Sequence, residues 1–503
     1  MSLSTMEYAA YAGALVLFLY YLGQKSPRSR APLPPGPPRW PIIGSALSLP
    51  RSEQNWKSFA RWGQEFKSDV IYLPVMGDNL VILNSYEATT ELFERRSALY
   101  SGRPRFVMAR ELVGWNQVTG LLSYGHDFRR TRRLLHDGLG PKSIQTWQPR
   151  LEREALKFIQ RLLSTPEDFI AHIRQNAGAT VIEITYGYSV HDKSDEFITA
   201  AEQAMESVSA LITPGASIVD MIPWLRYIPW TPFKRLAAES KKHVVALADT
   251  PMEYVHAQMR KGGKSSLVSK WLENPSGEKD YESIVKWAAA SLYLGGTDTT
   301  VSSMLTFVVA MLYNPLVQTK AQLEISQLLQ DRLPTFEDRE QLPYVEAIYK
   351  EVLRWQPVGP LGIPHVYAAN QDDEYKGMRI PAGSMVISNL WAMLHNPSTY
   401  KDPEQFKPER FLGANPERNP EDMAFGFGRR ICPGIHLSHC SVWLSIALML
   451  ATLDITPIVD ETGNKILPSL EYSNETVSHP APFKCNITPR SDRIKHIVEE
   501  ALV

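Results

Sequence analysis

The sequence predicts a mainly α-helical fold with a minor β region, and two observations carry this. Apolar residues recur at helical spacing through 127–135, 150–163, 281–312 and 437–453. Strand-like runs are confined to a few places. Val70-Ile71-Tyr72-Leu73 and Leu80-Val81-Ile82-Leu83 flank a turn at Gly77-Asp78-Asn79, which predicts a hairpin over 69–84. Met385-Val386-Ile387 follows a turn at Pro381-Ala382-Gly383 and reads as a further strand. No internal repeat or low-complexity tract interrupts the pattern.

At 503 residues and 44% hydrophobic, the chain can bury a large core. Lys and Arg number 53 against 54 Asp and Glu, a net charge of -1. That balance lacks the basic excess of a nucleic-acid binder. Three cysteines, Cys432, Cys440 and Cys485, are too few and too odd in number for a disulfide framework. The body therefore belongs in a reducing compartment, where the sequons at Asn474 and Asn486 would go unused.

The chain opens with an uncharged apolar run over 8–23, followed at once by Lys25, Arg28 and Arg30. It is short for a span, but flanking polar residues can extend it. Basic residues on its C-terminal side place that side in the cytosol. A cleaved signal peptide would want a basic segment before the apolar run, and only Glu7 stands there. Residues 1–24 are thus expected to be an uncleaved membrane anchor. The basic, proline-rich stretch 25–44 follows, with a dense run of prolines from Pro32 to Pro41. Proline fixes φ and removes a donor, so a stiff extended connector is expected, with a partner-binding motif as the rival. Residues 45–503 form the body.

The strongest chemical signal is Phe425-Gly426-Phe427-Gly428-Arg429-Arg430-Ile431-Cys432-Pro433-Gly434. Its glycines permit tight turns and the approach of a flat group. Pro433 suits the start of a helix. Cys432 then lies at a helix N-terminus, where unpaired N–H groups favour a thiolate able to ligate haem iron. A buried structural thiol is the plain alternative. A zinc set of Cys432, His436, His439 and Cys440 is another, although structural zinc sites normally join two separated ligand pairs.

This run resembles the haem-binding loop of the cytochromes P450. Phe425, Gly428, Arg430, Cys432 and Gly434 match every position of that pattern. The resemblance extends from Pro34 to about Pro489 and implies a P450 fold: one large haem domain behind the anchor, although length alone would suggest several. It implies haem b with Cys432 as the axial thiolate, Arg430 on a haem propionate and Phe425 near the sulfur. Glu351-Val352-Leu353-Arg354 and Pro408-Glu409-Arg410-Phe411 resemble the family's Glu-x-x-Arg helix and its Pro-Glu-Arg-Phe segment. By that resemblance, Glu351, Arg354 and Arg410 form a buried structural charge network.

Gly295-Gly296-Thr297-Asp298-Thr299-Thr300 reads as an interruption of a long apolar helix, since paired glycines and β-branched residues are poor helix interior. A simple break, or a cap at Asp298, is one account. The resemblance makes Asp298 and Thr299 the acid–alcohol pair that hands protons to dioxygen as it is split. One departure appears at 127–133: the family usually has Trp, three residues, Arg, and here Phe128 replaces the tryptophan while Arg132 remains. The ring is kept and an N–H donor is lost. His365 resembles another propionate contact, with a structural histidine as the alternative. Arg129, Arg130, Arg133 and Arg429 are read as a basic face for an acidic flavin domain of a reductase, or as solvated surface.

The positions that usually line the family's pocket carry Phe106, Val107, Trp115, Leu292, Val358, Leu361 and Ile363, which implies a hydrophobic substrate. The stretch 218–233 concentrates large apolar residues, and is either a covered core loop or a lid dipping into lipid. The expectation is a membrane-bound monooxygenase of the endoplasmic reticulum, similar to fungal enzymes of terpenoid, polyketide or indole tailoring. NADPH electrons would arrive through NADPH–cytochrome P450 reductase. A haem-thiolate isomerase or dehydratase needing neither O2 nor reductase is the first rival, and a non-enzymatic haem-binding membrane protein the second.

Overall fold

The computed structural model describes residues 31–50, 54–190, 195–212, 217–275, 277–330 and 332–502. The expected anchor over 1–24 lies outside them. The described residues gather into two compact units, one of those up to Pro104 together with Pro364–Asn389, the other of those in Arg105–Ile363 and from Leu390 onward.

The first unit carries a four-stranded sheet. Val70–Val75 runs antiparallel to Asp78–Leu83, with Val70 opposite Leu83. Asp78–Leu83 pairs in parallel with Met385–Ser388, which takes His365–Val366 on its other edge. The hairpin turn falls at Met76 and Gly77, one to two residues earlier than expected, and Asp78 and Asn79 belong to the strand. Both turn residues have positive φ, as two-residue hairpins require, and Gly77 adopts that conformation without steric cost.

The proline-rich stretch is no free spacer over its described part. The Tyr72 N–H donates to the Pro35 carbonyl at 2.9 Å and the Arg379 N–H to the Pro32 carbonyl at 2.7 Å. Pro34 and Pro37 are buried. Prolines lack N–H donors, yet their carbonyls still accept, so the segment docks as a strap to which its partners supply donors.

The second unit is mainly helical, with two small two-stranded sheets, Leu453–Thr456 with Asn486–Pro489 and Ile458–Val459 with Lys465–Ile466. The expected helices appear as His126–Leu139, Gln148–Ser164, Tyr281–Tyr313 and Ile435–Thr452. Its apolar interior forms two clusters. One holds Val285 to Leu294 together with Leu437 and Cys440; the other holds Val301 to Leu312 and Val442 to Ala451. Two helices thus cross from one cluster into the other. Residues 295–300 of one helix and Ser441 of the other, between Cys440 and Val442, lie at the crossing. Ile435–Thr452 is long and apolar enough to cross a membrane, but it is mostly buried within the protein, as a core helix is.

The Tyr281–Tyr313 helix is not interrupted at its glycines, contrary to the sequence expectation. The hydroxyls of Thr297, Thr299 and Thr300 bond back to the carbonyls of Tyr293, Gly295 and Gly296 at 2.9, 2.6 and 2.8 Å. Gly296 also lets the helix approach its neighbour: an added Cβ would lie 2.8 Å from Cγ2 of Val181 on the Phe169–Tyr186 helix. Tertiary packing outweighs the local propensity that disfavours helix here.

Candidate functional site

The cysteine loop doubles back on itself. Gly426 and Gly428 take positive φ, which bends the chain so that the Cys432 N–H donates to the Phe425 carbonyl at 2.8 Å. Cys432 lies two residues before Gly434, which caps the Ile435–Thr452 helix. Burial pushes the Cys432 thiol up, and the Gly434 N–H and the Arg132 guanidinium offset only part of that rise. Cys440 and Cys485 are also pushed up by burial, Cys485 to about 12. Of the three sulfurs, Cys432 alone has a backbone N–H turned to it.

Arginines gather beside this loop. Arg430 lies over the Phe128 ring at 3.9 Å and donates to the carbonyls of Leu122 at 2.9 Å and Thr119 at 3.3 Å. Arg132 donates to the Ile431 carbonyl at 2.6 Å. Burial, then the like charges of Arg132 and Arg110, bring Arg430 down to about 10. Burial also lowers Arg132 and Arg110. Clustered, desolvated guanidiniums are costly unless an anion joins them. The set suits a group carrying carboxylates, as the haem propionates are. Arg110 was missed by sequence reasoning, because no local motif marks it.

Phe128 is buried, and its ring face is the platform for Arg430. Phe425 and Gly434 border Cys432, and Gly428 opens the turn that places Arg430. His365 lies in the first unit. It is buried, stacks on Phe93 at 4.0 Å, and donates through Nδ1 to the Tyr100 carbonyl at 2.7 Å. Those contacts suit a structural histidine.

Glu351, Arg354 and Arg410 come together. Arg354 makes a fork on the Glu351 carboxylate at 2.7 and 2.9 Å, and Arg410 Nε donates to it at 3.1 Å. The Lys407 N–H adds a fourth donor at 2.7 Å. Arg410 also reaches Glu417 at 2.6 Å. All the side-chain charge of Glu351 and Arg354 is buried, so every member is needed to satisfy the others.

Asp298 and Thr299 lie side by side at the crossing of the two clusters. Asp298 Oδ2 is 3.1 Å from Nε2 of His479, a partner that lies far along the chain and carries no sequence signal. The Thr299 hydroxyl is committed as a donor to Gly295, which leaves its lone pairs to accept.

The sequence model of the cytochrome P450 family matches residues 34–487. This chain belongs to the cytochrome P450 family. It is 42% identical to the cytochrome P450 monooxygenase claR of Ampulloclitocybe clavipes, over 96% of this chain and 91% of that protein. It is 40% identical to cytochrome P450 monooxygenase 208 of Postia placenta, over 96% and 95%. Identity to the cytochrome P450 monooxygenase ple1 of Rhodocybe pseudopiperita is 38%, over 93% and 91%. As a P450 of this kind, the chain is a monooxygenase, and its cofactor is haem held through a cysteine thiolate.

The zinc alternative finds no support in the geometry. No group of three or more His, Cys, Asp or Glu among the described residues is arranged to hold a metal ion. The basic face is smaller than expected. Arg129, Arg133 and Arg429 are exposed, but Arg130 is held by Asp280 at 2.9 Å, by Glu278 and by Asp127. The covered-loop account of 218–233 holds only in part: Val219, Leu225 and Phe233 pack on the core, while other large apolar residues of the stretch stand open. Trp224, Tyr227 and Trp230 are 62%, 72% and 92% exposed, with Ile218 also open to solvent.

Proposed function

We propose that this P450 inserts one oxygen atom from O2 into a hydrophobic small molecule, in the setting of fungal secondary metabolism (a terpenoid, polyketide or indole). The observation that carries the reading is the gathering of half-buried guanidiniums beside the Cys432 loop, Arg132 on the Ile431 carbonyl at 2.6 Å and Arg430 on the Leu122 carbonyl at 2.9 Å, with Arg110 close enough to act on Arg430. Cys432 would hold the haem iron and Arg132 and Arg430 its propionates, with Phe128, Phe425, Gly428 and Gly434 shaping the bed. When bound, the haem supplies dioxygen activation, which the thiolate favours by donating electron density.

The chain's own residues do the rest. Phe106, Val107, Trp115 and Leu292 are buried in the second unit and offer an apolar lining that excludes water. Asp298 exchanges protons with its surroundings, and the Thr299 oxygen, its own proton held by Gly295, is placed to accept a hydrogen bond. Glu351, Arg354 and Arg410 keep the segment around Pro408–Phe411 rigid.

Residues 1–24 would anchor the chain in the endoplasmic reticulum membrane, 25–44 link it, and 45–503 form the haem domain on the cytosolic side. The exposed Trp224, Tyr227 and Trp230 supply an apolar surface for lipid. Arg129, Arg133 and Arg429 supply a basic surface for an NADPH–cytochrome P450 reductase. The test is to incubate membranes holding this protein and a reductase with apolar terpenoids, polyketides and indoles, NADPH and isotopically labelled O2. A labelled, NADPH-dependent product is expected. An unlabelled product formed without NADPH would replace the reading with isomerisation or dehydration.

A further inference from the structure

The Tyr281–Tyr313 helix meets the loop 472–480 on three successive turns. Asp298 contacts His479 at 3.1 Å, the Ser302 hydroxyl donates to the Ser478 carbonyl at 2.6 Å, and Thr306 and Tyr472 share a hydroxyl–hydroxyl contact at 3.2 Å. Positions 298, 302 and 306 are four residues apart and so line one face of the helix. The loop is also closed on itself. Ser473 and His479 bond through their backbones at 2.8 Å, the His479 N–H donates to the Ser473 hydroxyl at 3.1 Å, and the Ser478 hydroxyl donates to the Ser473 carbonyl at 2.9 Å. The imidazole is therefore placed by the loop rather than by its partner alone.

One further charged group, Glu202, lies within electrostatic reach of Asp298. Glu202, on the Glu196–Ile212 helix, has its carboxyl raised first by burial; Arg174, 3.8 Å away, pulls it down, and the charge of Asp298 pushes it up. A carboxylate only accepts, so Nε2 of His479 is the donor in its contact with Asp298.

We propose that His479 is a positioning residue whose Nε2–H, fixed by the self-bonded loop 472–480, holds the Asp298 carboxylate in place and so governs proton supply toward Thr299. This rests on the reading of Asp298 and Thr299 as the proton relay.

The experiment uses the full-length, haem-loaded protein with reductase and NADPH as the only reagents. Hydrogen peroxide formed per NADPH and the H2O/D2O rate ratio are measured for wild type, D298N, H479L, H479Q and H479L/D298N. Equal haem content is confirmed from the reduced, CO-bound spectrum. H479L should raise the peroxide yield and enlarge the isotope ratio several-fold. H479Q keeps an N–H near the Nε2 position and should return both toward wild type. H479L should add nothing in the D298N background. In protein labelled with 13C-histidine and held in the reduced, CO-bound form, the resonance missing from H479Q should shift in D298N. Should the H479L variant lose haem, H479N, whose amide is too short to reach, serves in its place.

If D298N perturbs both ratios while H479L or H479N matches wild type, the inference is overturned and the relay stands. The inference also fails if H479L acts equally with and without Asp298, or if H479Q is as impaired as H479L. A D298N variant indistinguishable from wild type would remove the relay itself.

Discussion

Cys432 illustrates how a single residue's chemistry depends on what surrounds one atom. Burial alone would keep the thiol protonated, and in Cys485 it does so with nothing in opposition. At Cys432 the Gly434 N–H and Arg132 offset part of it, in the direction a metal-binding thiolate needs, and the net shift is still upward. Replacing Cys432 with Ser should abolish the red-shifted Soret band that reduced, CO-treated protein gives with thiolate ligation. A retained band would move the ligand to another sulfur. Phe128 shows the same dependence on context. With no donor of its own, it serves Arg430 as a stacking face at 3.9 Å, and the Arg430 donors turn to the carbonyls of Thr119 and Leu122. The motif pattern revealed the loss of an N–H, but nothing in it revealed the stacking.

At the scale of elements, the paired glycines of the Tyr281–Tyr313 helix have different surroundings. A Cβ on Gly295 meets nothing within 4 Å, whereas one on Gly296 presses on Val181. Alanine at 295 should therefore gain helix propensity, up to about 1 kcal/mol. Alanine at 296 should lose about 1–3 kcal/mol, because a valine held at one χ1 rotamer yields little room. Thermal unfolding of the two variants should bracket the wild type, G295A at or above it and G296A below. Equal shifts would mean that the helix contact at Val181 does not constrain position 296. Local propensity predicts a broken helix here, and the packing of Phe169–Tyr186 explains why it stays whole.

At the scale of the whole molecule, acid sensitivity has a nameable source. Glu346 is pushed up by burial, but its contacts with His439 and Arg339 outweigh that and bring it down to about 2. A carboxyl whose folded value lies below its unfolded value, here 4.5, stabilises the fold above that unfolded value. The contribution is lost as pH falls toward about 2. Its size is on the order of 3 kcal/mol at neutral pH. Glu183 acts in the opposite sense. Burial first, and then Glu154, raise it, so its contribution is present at low pH and fades as pH rises through the folded value. E346Q should lower stability at neutral pH and flatten its loss between pH 4.5 and about 2. Acid titration followed by far-UV circular dichroism reads this, and parallel wild-type and variant curves would exclude Glu346 as a source.

What the sequence by itself determined is whatever depends on neighbours along the chain. The hairpin of 69–84 and the four long helices follow from periodicity, which is a local property. The Cys432 loop is legible for the same reason: its glycines, proline and cysteine do their work within ten residues. The Glu351–Arg354 spacing also announces an ion pair, although only tertiary contact adds Arg410, Glu417 and the Lys407 N–H. The fold alone decided what depends on residues far apart in the chain. It brought Arg110 beside Arg430, took Arg130 out of the basic face by pairing it with Glu278 and Asp280, and set His479 against Asp298. Charges interact through space, so a residue's electrostatic partners are set by which elements pack together, and that is information no short window of sequence holds.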